Sequence, residues 1–166
     1  MKLIEISKNS KKIKGVYSAQ VDDEDYEFLN QYRWAMSPTT TMKYANTNID
    51  GKCVTMHRLI LQVEGRKNLV DHIDRNGLNN QRSNLRIATH SQNGANRGVS
   101  KTKRTSTYLS VYMRKGDNRI FKWYSSIMFK GEKIFLGYFD CEIKAAKAYD
   151  KKALELFGEY ANINIK

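Results

Sequence analysis

The sequence predicts an α+β fold, and three observations support that prediction. Asp50-Gly51 separates two β-prone runs, which is a strong hairpin signal because both turn residues need positive φ. Short strands at 70–73 and 85–88 flank a polar loop rich in Asn and Gly, and a helix follows them. In the last third, alternating strands give way to a helical pattern after Asp140. A chain of 166 residues allows one large or two small domains with modest cores.

The composition excludes several classes of protein. Hydrophobic residues make up 40% and aromatic residues 11% of the chain, too much for a disordered protein. With Pro 1 and Gly 10, the chain has no collagen-like or low-complexity character. No run approaches the ~18 apolar residues of a membrane span, and the charged start predicts no signal peptide. Cys53 and Cys141 form no C-x-x-C pair, so we expect a reducing, cytoplasmic environment.

The positive charge indicates a polyanionic partner. The chain carries 29 Lys and Arg against 17 Asp and Glu, a formal net charge of +12. Residues 95–133 hold 10 of the basic and 2 of the acidic side chains, a net of +8. Aromatic residues lie between these basic residues, and a disordered basic tail would lack them. We therefore expect a folded surface that faces phosphates and whose binding weakens as salt rises.

The first 54 residues predict a small α/β region. An acidic run, Asp22 to Asp25, precedes apolar residues at helical spacing. Asp22 is therefore expected to cap a helix, and the other carboxylates favour the positive end of that helix. A metal site is rejected here, because four consecutive carboxylates cannot converge on one ion. The Asp50-Gly51 hairpin follows, and a short apolar helix is expected to begin at His57.

The last third predicts three strands followed by one helix. Alternating residues at 107–113 and 121–129 are typical of strands, and a third run follows at 132–138. A helix with Asp140 as its N-cap is expected to end at Gly158. The apolar stripe that would pack on the sheet comprises Ile143, Ala146, Tyr149, Ala153 and Leu156.

The turn at Lys130-Gly131 predicts the register of this sheet. It would pair Phe129 with Glu132 and, farther along, Trp123 with Tyr138. One face is then largely apolar and suited to the helix. The other face is mixed and cationic, as a surface lying in the major groove would be, although an ordinary solvated face is an equal alternative. This second face comprises Lys122, Tyr124, Ser126, Met128, Lys133 and Phe135.

One polar segment holds the side chains that predict chemistry. Asp71 and His72 are adjacent on a strand and point to opposite sides, so one of them can face an ion while the other faces an attacking water. Thr89 with Gln92 forms a capping box, which predicts a helix start there. Asn93 would project from that start and bring its amide oxygen beside Asp71. Two such oxygen ligands leave positions for waters and phosphate oxygens, as Mg²⁺ prefers.

An Asp-His pair by itself is weak evidence, because a lone histidine is more often structural than catalytic. The joint spacing of the segment is more specific: it resembles the HNH endonuclease family, in the subgroup whose last position is Asn. The matching positions are Asp71-His72, then Asn84, then Asn93, with His57 in an upstream lead-in. The resemblance spans residues 55–97.

The resemblance implies a ββα-metal (His-Me finger) nuclease at residues 55–96. His72 would be the general base that takes a proton from the attacking water. Asp71 and Asn93 would hold one Mg²⁺ or Mn²⁺ ion at the scissile phosphate. Asn84 would orient the loop that carries His72, through hydrogen bonds to the loop backbone.

Several alternatives stay open at the level of sequence. His90 lies near the last motif position and competes with Asn93 as metal ligand. His57 either supports the site or contacts phosphate, or it is an ordinary hydrogen-bonded residue at a helix start. Arg82 and Arg86 either clamp phosphates or form surface ion pairs. A zinc site is rejected because the chain has no closely paired cysteines.

The last third resembles the AP2 DNA-binding domain. The matching segments are 97–100, 136–140, 145–150 and 161–164. This resemblance implies a three-stranded antiparallel sheet packed on one helix over residues 97–166. The first strand would be either 98–99 or 108–113. Ser126 and Met128 stand where the family usually has Arg on the DNA face, which predicts altered base reading.

Together the two modules resemble homing endonucleases of phages and mobile introns. They imply double-stranded DNA as the partner, with no membrane contact and no small-molecule cofactor. Because the chain has no heptad pattern, we expect a monomer. We expect it in the host cytoplasm. The residues expected to contact DNA are Arg86, Arg97, Lys101, Lys103, Arg104, Lys122, Tyr124, Ser126, Met128, Lys133 and Phe135. A DNA-binding regulator with a vestigial nuclease motif is the alternative, and RNA binding is a weaker third.

Overall fold

The computed structural model describes residues 1–7, 17–37, 43–65, 67–98, 105–114, 120 and 122–165. The chain divides into two compact units, Met1–Thr89 and His90–Lys166. The division into 1–54, 55–96 and 97–166 stays a prediction. In the described part of the chain, no helix has the length and apolar character that a membrane crossing requires.

The first unit is built from three small antiparallel sheets. Its elements are β1 (Lys2–Ile6), β2 (Tyr17–Val21), α1 (Asp23–Asn30), β3 (Ala35–Met36), β4 (Ala45–Ile49), β5 (Lys52–Thr55), α2 (Met56–Ile60), β6 (Leu69–His72), a 3₁₀ turn (Arg82–Asn84) and β7 (Leu85–Ala88). The sheets are β1–β2, β3–β4–β5 and β6–β7. Together these elements confirm a mixed arrangement of short strands and helices.

The predicted hairpin and short helix are both present. Ile49 lies opposite Lys52 across the turn. Asp50 and Gly51 have φ of 51° and 76°, the positive values that a two-residue hairpin turn requires. The helix α2 follows β5 directly and includes His57. Local turn chemistry therefore specified this part of the chain correctly.

One hydrophobic core serves the whole first unit. It contains Ile4 from β1, Leu29 from α1, Met56 from α2 and Leu85 from β7, each at most 7% exposed. The N-terminal region and the following strand–loop–strand segment are thus packed into a single core. The N-terminal region thereby contributes to the stability of the β6–β7 hairpin.

The acidic residues at the start of α1 make other hydrogen bonds than the predicted helix cap. Asp22 stands at the N-cap but makes no side-chain cap hydrogen bond. Its carboxylate instead accepts hydrogen bonds from the Arg82 backbone N–H (2.8 Å) and the Gln81 side chain (3.2 Å). Asp25 is buried and binds the Arg82 guanidinium through both oxygens, at 2.8 and 2.7 Å. The predicted capping role is wrong because a distant segment supplies these partners.

The second unit contains a three-stranded antiparallel sheet with a helix packed on it. Its elements are α3 (His90–Ala95), β8 (Val111–Met113), β9 (Trp123–Phe129), β10 (Glu132–Phe139), α4 (Glu142–Phe157) and a 3₁₀ turn (Gly158–Tyr160). The strand order is β10–β9–β8, and α4 contacts all three strands. Within the described residues the first strand of this sheet is β8; Val99, which belongs to the alternative first strand 98–99, lies outside them. Ser110, at φ 57°, breaks the longer strand predicted over 107–113.

The β9–β10 hairpin follows the predicted register only as far as Phe135. Near the turn, Phe129 lies opposite Glu132 as predicted. A β-bulge then places one extra residue between Phe135 and Gly137. Gly137 has φ of 120°, which glycine adopts without the strain that other residues would carry.

The bulge exchanges the faces of the residues beyond it. Phe139 rather than Tyr138 lies opposite Trp123, so the predicted Trp123–Tyr138 pairing is wrong. Because side chains alternate along a strand, a shift of one residue moves each of them to the other side. Phe139 and Trp123 consequently pack in the core under α4, whereas Tyr138 joins Tyr124 on the opposite face.

The helix α4 matches its predicted length but differs at its start. Cys141 rather than Asp140 is the N-cap, and Asp140 instead forms an ion pair with Lys144 at 2.6 Å. The helix ends at Gly158, as predicted, with φ of 54°. Ile143 of the predicted stripe is 50% exposed, because its neighbours occupy the core instead. The buried residues of α4 are Ala145, Ala146, Tyr149, Asp150 and Ala153.

Candidate active site

The predicted catalytic pair lies at the end of the β6–β7 hairpin. His72 is the last residue of β6 and lies opposite Leu85, the first residue of β7. Asp71 lies opposite Arg86. Asp71 and His72 are 5% and 3% exposed, so both functional groups are largely removed from bulk water. The hairpin thus presents a carboxylate and an imidazole from adjacent positions at the start of loop 73–84.

Asn84 joins the two ends of this loop. Its side-chain oxygen accepts a hydrogen bond from the Asp74 backbone N–H at 3.0 Å. Its amide nitrogen donates to the Asn79 carbonyl at 2.8 Å and to the Asp74 carboxylate at 2.9 Å. The backbone carbonyl of Asn84 also accepts a hydrogen bond from the Ile73 N–H at 2.9 Å. These are the side-chain to loop contacts that the sequence predicted for Asn84.

Asp74 is a structural centre of the loop that sequence reasoning missed. Its carboxylate accepts hydrogen bonds from the Asn76 backbone N–H and the Asn79 side chain, both at 2.8 Å. Burial raises the pKa of Asp74, but the hydrogen bonds from Asn76, Asn79 and Asn84 outweigh burial and hold that pKa below its usual value. The turn residues that follow Asp74 were the available signal, because Asp commonly bonds to the backbone two residues on.

Asn80 is the hydrogen-bond partner of the His72 ring. Its side chain is completely buried, and its amide oxygen lies 3.3 Å from Nε2 of His72. Because an amide oxygen only accepts hydrogen bonds, the ring donates to Asn80 in the tautomer that carries its proton on Nε2. The Asn80 backbone is held by β2, since its N–H donates to the Gln20 carbonyl at 2.8 Å. Nothing in the sequence distinguished Asn80 from its neighbouring asparagines.

Three rings pack against one another around His72. The His57 ring meets the His72 ring edge to face, with centroids 4.9 Å apart. Tyr44 lies 5.1 Å from the His57 ring and 5.7 Å from the His72 ring. His57 is buried, and its Nε2 lies 3.1 Å from the Thr55 hydroxyl. The upstream histidine of the resemblance is thus a wall of the pocket that holds His72.

Burial keeps both imidazoles neutral. Removal from water, with smaller effects of the neighbouring His72 and Arg58, lowers the pKa of His57 to about 3. Burial also lowers the pKa of His72 below its ordinary value, while the Asn80 hydrogen bond and the carboxylates of Asp74 and Asp71 act in the opposite direction. Two charged imidazoles in contact would repel each other, so neutrality of one favours neutrality of the other.

Arg86 forms a buried ion pair with the Asp71 carboxylate. Both Nε and Nη2 of Arg86 lie 2.9 Å from Oδ2 of Asp71, and the two side chains are 11% and 6% exposed. The sequence predicted that Arg86 either binds phosphate or forms an ion pair at the surface. The structure shows an ion pair, and this pair is buried. Arg82, the other arginine considered, binds Asp25 instead.

The donor atoms predicted for a metal ion are distributed over both units. Asp71 belongs to the first unit, whereas Asn93 lies half-buried on α3 of the second, together with the exposed His90. A carboxylate and an amide offer hard oxygen ligands, which suit Mg²⁺ or Mn²⁺ when waters and phosphate oxygens complete the shell. Among the described residues, no three His, Cys, Asp or Glu side chains converge as a metal-binding group.

Comparison with known proteins identifies the family. The family model described as HNH endonuclease matches residues 55–95. A protein of Acanthamoeba polyphaga mimivirus, described as an uncharacterized HNH endonuclease, is 33% identical over 156 residues, which cover 91% of this chain and 76% of that protein. The chain belongs to the HNH endonuclease family. No solved structure matches it significantly.

Membership in the HNH endonuclease family confirms the predicted activity at the level of class. The protein is a DNA endonuclease, and therefore a hydrolase. The matched residues 55–95 include the β6–β7 hairpin, with His57, Asp71-His72 and Asn84, and continue into α3 with Asn93. Nucleases of this family generally depend on a divalent metal ion.

The residues that this HNH endonuclease was predicted to use for DNA contact have diverse surroundings. Arg97, Lys122 and Lys133 are exposed. Tyr124 and Ser126 are half-buried and buried, respectively. Met128 and Phe135 are 57% and 53% exposed. Lys101, Lys103 and Arg104 lie outside the described residues.

Proposed function

We propose that this HNH endonuclease hydrolyses DNA phosphodiester bonds with His72 as general base and with one divalent ion held by Asp71 and Asn93. The observation that carries the proposal is the buried His72 ring, which follows Asp71 at the end of β6 and has a defined hydrogen-bond partner in Asn80. A general base must be unprotonated at the working pH, and burial supports that state.

The contact with Asn80 supports a division of roles between the two nitrogens of the His72 ring. With the proton on Nε2 donated to the Asn80 oxygen, Nδ1 keeps a lone pair, which is proposed to accept a proton from the attacking water. The loop network of Asn84 and Asp74 holds the backbone that follows His72, and His57 and Tyr44 restrict rotation of the ring. The base is therefore preorganised before substrate arrives.

The proposed ion, Mg²⁺ or Mn²⁺, would polarise the scissile phosphate and stabilise the charge on the leaving oxygen. Asp71 supports this role because the Arg86 guanidinium holds its carboxylate in place at the end of β6. Asn93 is proposed as the second protein ligand from its motif position, with His90 as the competing candidate. Asn84 is proposed to act on the loop that carries the base rather than on the substrate.

Targeting is proposed to reside in the second unit, as in AP2-bearing homing endonucleases. Two observations support this: the sheet β8–β9–β10 carries α4 on one face only, and residues 95–133 hold most of the net positive charge. Arg97, Lys122 and Lys133 are proposed phosphate contacts of that surface. Tyr124, Met128 and Phe135 are proposed to face the bases.

A plasmid-nicking assay with Mg²⁺ tests the proposed base. Substitution of His72→Ala is expected to lower the cleavage rate by about 100-fold or more, the usual contribution of a general base. Asn93→Ala should lower activity and raise the Mg²⁺ concentration needed for half-maximal cleavage. His90→Ala changes an exposed residue of the same helix and should leave the cleavage rate within about twofold.

The same assay separates the competing interpretations. Equal rates for the native protein and His72→Ala would eliminate His72 as the base. Loss of activity in His90→Ala but not in Asn93→Ala would transfer the ligand role to His90. Metal-independent DNA binding without cleavage at any enzyme concentration would favour a regulator with a vestigial nuclease motif.

A further inference from the structure

The open face of the sheet in the second unit is unusually aromatic for a surface that meets DNA. We define this outer face by the residues that alternate away from α4, and it comprises Tyr112, Tyr124, Met128, Lys133, Phe135 and Tyr138. Ser126 shares this side of β9 but is buried opposite Phe135. Met128, Phe135 and Tyr138 are 57%, 53% and 50% exposed, so apolar atoms dominate the accessible part.

The rings of the outer face form one continuous cluster. Tyr112 and Tyr124 stack with centroids 5.2 Å apart. Phe135 and Tyr138 meet edge to face with ring centroids 4.9 Å apart. Their centroids lie 6.4 and 6.3 Å, respectively, from that of Tyr124. This packing joins the three strands into a single apolar patch. It also holds the rings in place, so their exposed edges are presented in a fixed pattern.

Three cations lie on or near the outer face, and none of the six residues that define it is acidic. The Arg114 guanidinium lies 4.4 Å from the centre of the Tyr138 ring, and the Lys133 ammonium lies 5.8 Å from that of Tyr112. Lys122 is exposed immediately before β9. Positive charge beside an apolar surface complements a groove whose walls are phosphates and whose floor offers apolar groups.

The major groove contains one apolar group, the C5 methyl of thymine. Side chains of arginine, asparagine or glutamine read bases through paired hydrogen bonds. None of the six residues that define the outer face is of these types, and the neighbouring Arg114 lies over the Tyr138 ring. Met128 and Phe135 have no hydrogen-bond donor for a base edge. On the proposed function that this sheet lies in the major groove, we propose that the outer face selects thymine-rich duplex DNA by apolar contact with the C5 methyl groups.

Single-stranded nucleic acid fits the same face less well. In single-strand sites a base stacks on an open ring face. Tyr112 and Tyr124 cover one face of each other, and the Arg114 guanidinium covers one face of the Tyr138 ring. These contacts leave fewer open ring faces for a base, so the observations favour a duplex.

Four synthetic duplexes of equal length test the inference by adding or removing only the methyl group. They are poly(dA-dT), poly(dA-dU), poly(dG-dC) and poly(dG-dC) with 5-methylcytosine, each titrated with the full chain in EDTA so that no cleavage occurs. Loss of the methyl from thymine is expected to weaken binding, and its addition to cytosine to strengthen it. Each methyl contact should change affinity roughly fourfold, the effect of burying one such group.

Matched variants place the effect on the outer face. Phe135→Ala and Met128→Ala remove exposed side chains, so both should fold, and each should reduce the ratio between methylated and unmethylated duplexes while leaving the salt dependence unchanged. Leu154→Ala is the control, because Leu154 is 50% exposed on α4, outside the outer face. That variant should keep the native ratio.

The outcomes distinguish the inference from the proposed function. Equal affinity within both pairs of duplexes would overturn methyl recognition while leaving DNA targeting by the sheet intact. Absence of binding to all four duplexes would instead contradict the targeting proposal itself. Tighter binding to single-stranded poly(dT) than to any duplex, without a methyl effect, would overturn the inference in favour of a single-strand surface.

Discussion

At the scale of the residue, the pocket around His72 has an unusual property: two imidazoles are buried in contact with each other. The ring centroids of His57 and His72 lie 4.9 Å apart, and the Tyr44 ring packs against both rings. Isolated histidines in water are partly charged near pH 6.5, but burial opposes the charged form here. The neutral state that general-base chemistry needs is thus a consequence of packing, not of a particular neighbouring charge.

The same burial predicts that acid destabilises the protein. The unfolded His57 has its ordinary pKa of 6.5, and the folded one has a pKa of about 3, so between these values the unfolded state binds more protons. Stability should therefore fall as the pH is lowered below 6.5. pH 5 lies about 1.5 units below the pKa of the unfolded His57. At that pH, holding His57 neutral lowers the free energy of unfolding by about 2 kcal/mol.

His57→Gln isolates this contribution, because glutamine keeps a hydrogen-bonding side chain but does not titrate. Urea denaturation of both proteins at pH 7, 6 and 5 measures the free energy of unfolding. Between pH 7 and pH 5 the native protein should lose about 2 kcal/mol more than the variant. Parallel losses in the two proteins would show that His57 is not held neutral by the fold.

At the scale of the element, the structure depends on close contacts between segments far apart in sequence. Gly77, in the loop after β6, leaves no room for a side chain: an added Cβ would lie 2.4 Å from the Lys43 carbonyl oxygen and 2.6 Å from the Tyr44 ring. Tyr44 in turn packs on His72. The Arg82–Asp25 pair likewise ties the end of the loop to α1.

Gly77→Ala is therefore expected to disturb both stability and activity. The methyl group must displace backbone or a buried ring, which typically costs about 1–3 kcal/mol. Movement of Tyr44 should also release the His72 ring and lower the nicking rate.

Gly94→Ala is the matched control, because no atom lies within 4 Å of its added Cβ and the residue lies within α3. That variant should be neutral or slightly more stable, since alanine favours a helix over glycine. Thermal unfolding and plasmid nicking measure the two effects. Equal melting temperatures for Gly77→Ala and the native protein would contradict the tight contact.

At the scale of the whole molecule, the proposed general base and most of the net positive charge lie in two different units with separate cores. The first core is centred on residues such as Leu29 and Met56, and the second unit packs α4 on its own sheet. The hairpin with His72 belongs to the first unit, and most of the net charge belongs to the stretch 95–133. Binding and cleavage should accordingly respond to different substitutions.

The charge distribution predicts a steep salt dependence of DNA binding. Each phosphate contact that is lost should flatten the slope of log affinity against log salt by about 0.9. Lys122→Ala with Lys133→Ala is expected to reduce the slope by about 2, because both residues are proposed phosphate contacts. Lys144→Ala should leave it unchanged, since Lys144 lies on α4 and pairs with Asp140.

Fluorescence anisotropy of a labelled duplex between 50 and 200 mM salt, in EDTA, measures these slopes. A native slope in the double variant would show that Lys122 and Lys133 do not contact phosphate and that the phosphate-binding surface lies elsewhere in the chain. A shallower slope for Lys144→Ala would show that binding responds to total charge and not to the proposed face.

Short-range patterns in the sequence determined much of this protein. The Asp50-Gly51 turn, the strands on either side of loop 73–84 and the end of α4 at Gly158 all depend on residues close together in the chain, whose preferences act before any tertiary contact forms. The family was also accessible, because its motif is a set of spaced residues. The prediction of Asp71, His72 and Asn84 as site residues needed no knowledge of the fold, and their roles stay predictions.

Only the tertiary structure decided what surrounds those residues. The choice of Asn80 as partner of His72, the contact of His57 and Tyr44 with that ring, and the use of Asp22 by a distant loop involve segments separated by many residues. The bulge before Gly137, which moved Tyr138 to the outer face, likewise depends on packing against α4. Such contacts are selected by the free energy of the whole core, which no local window of sequence contains.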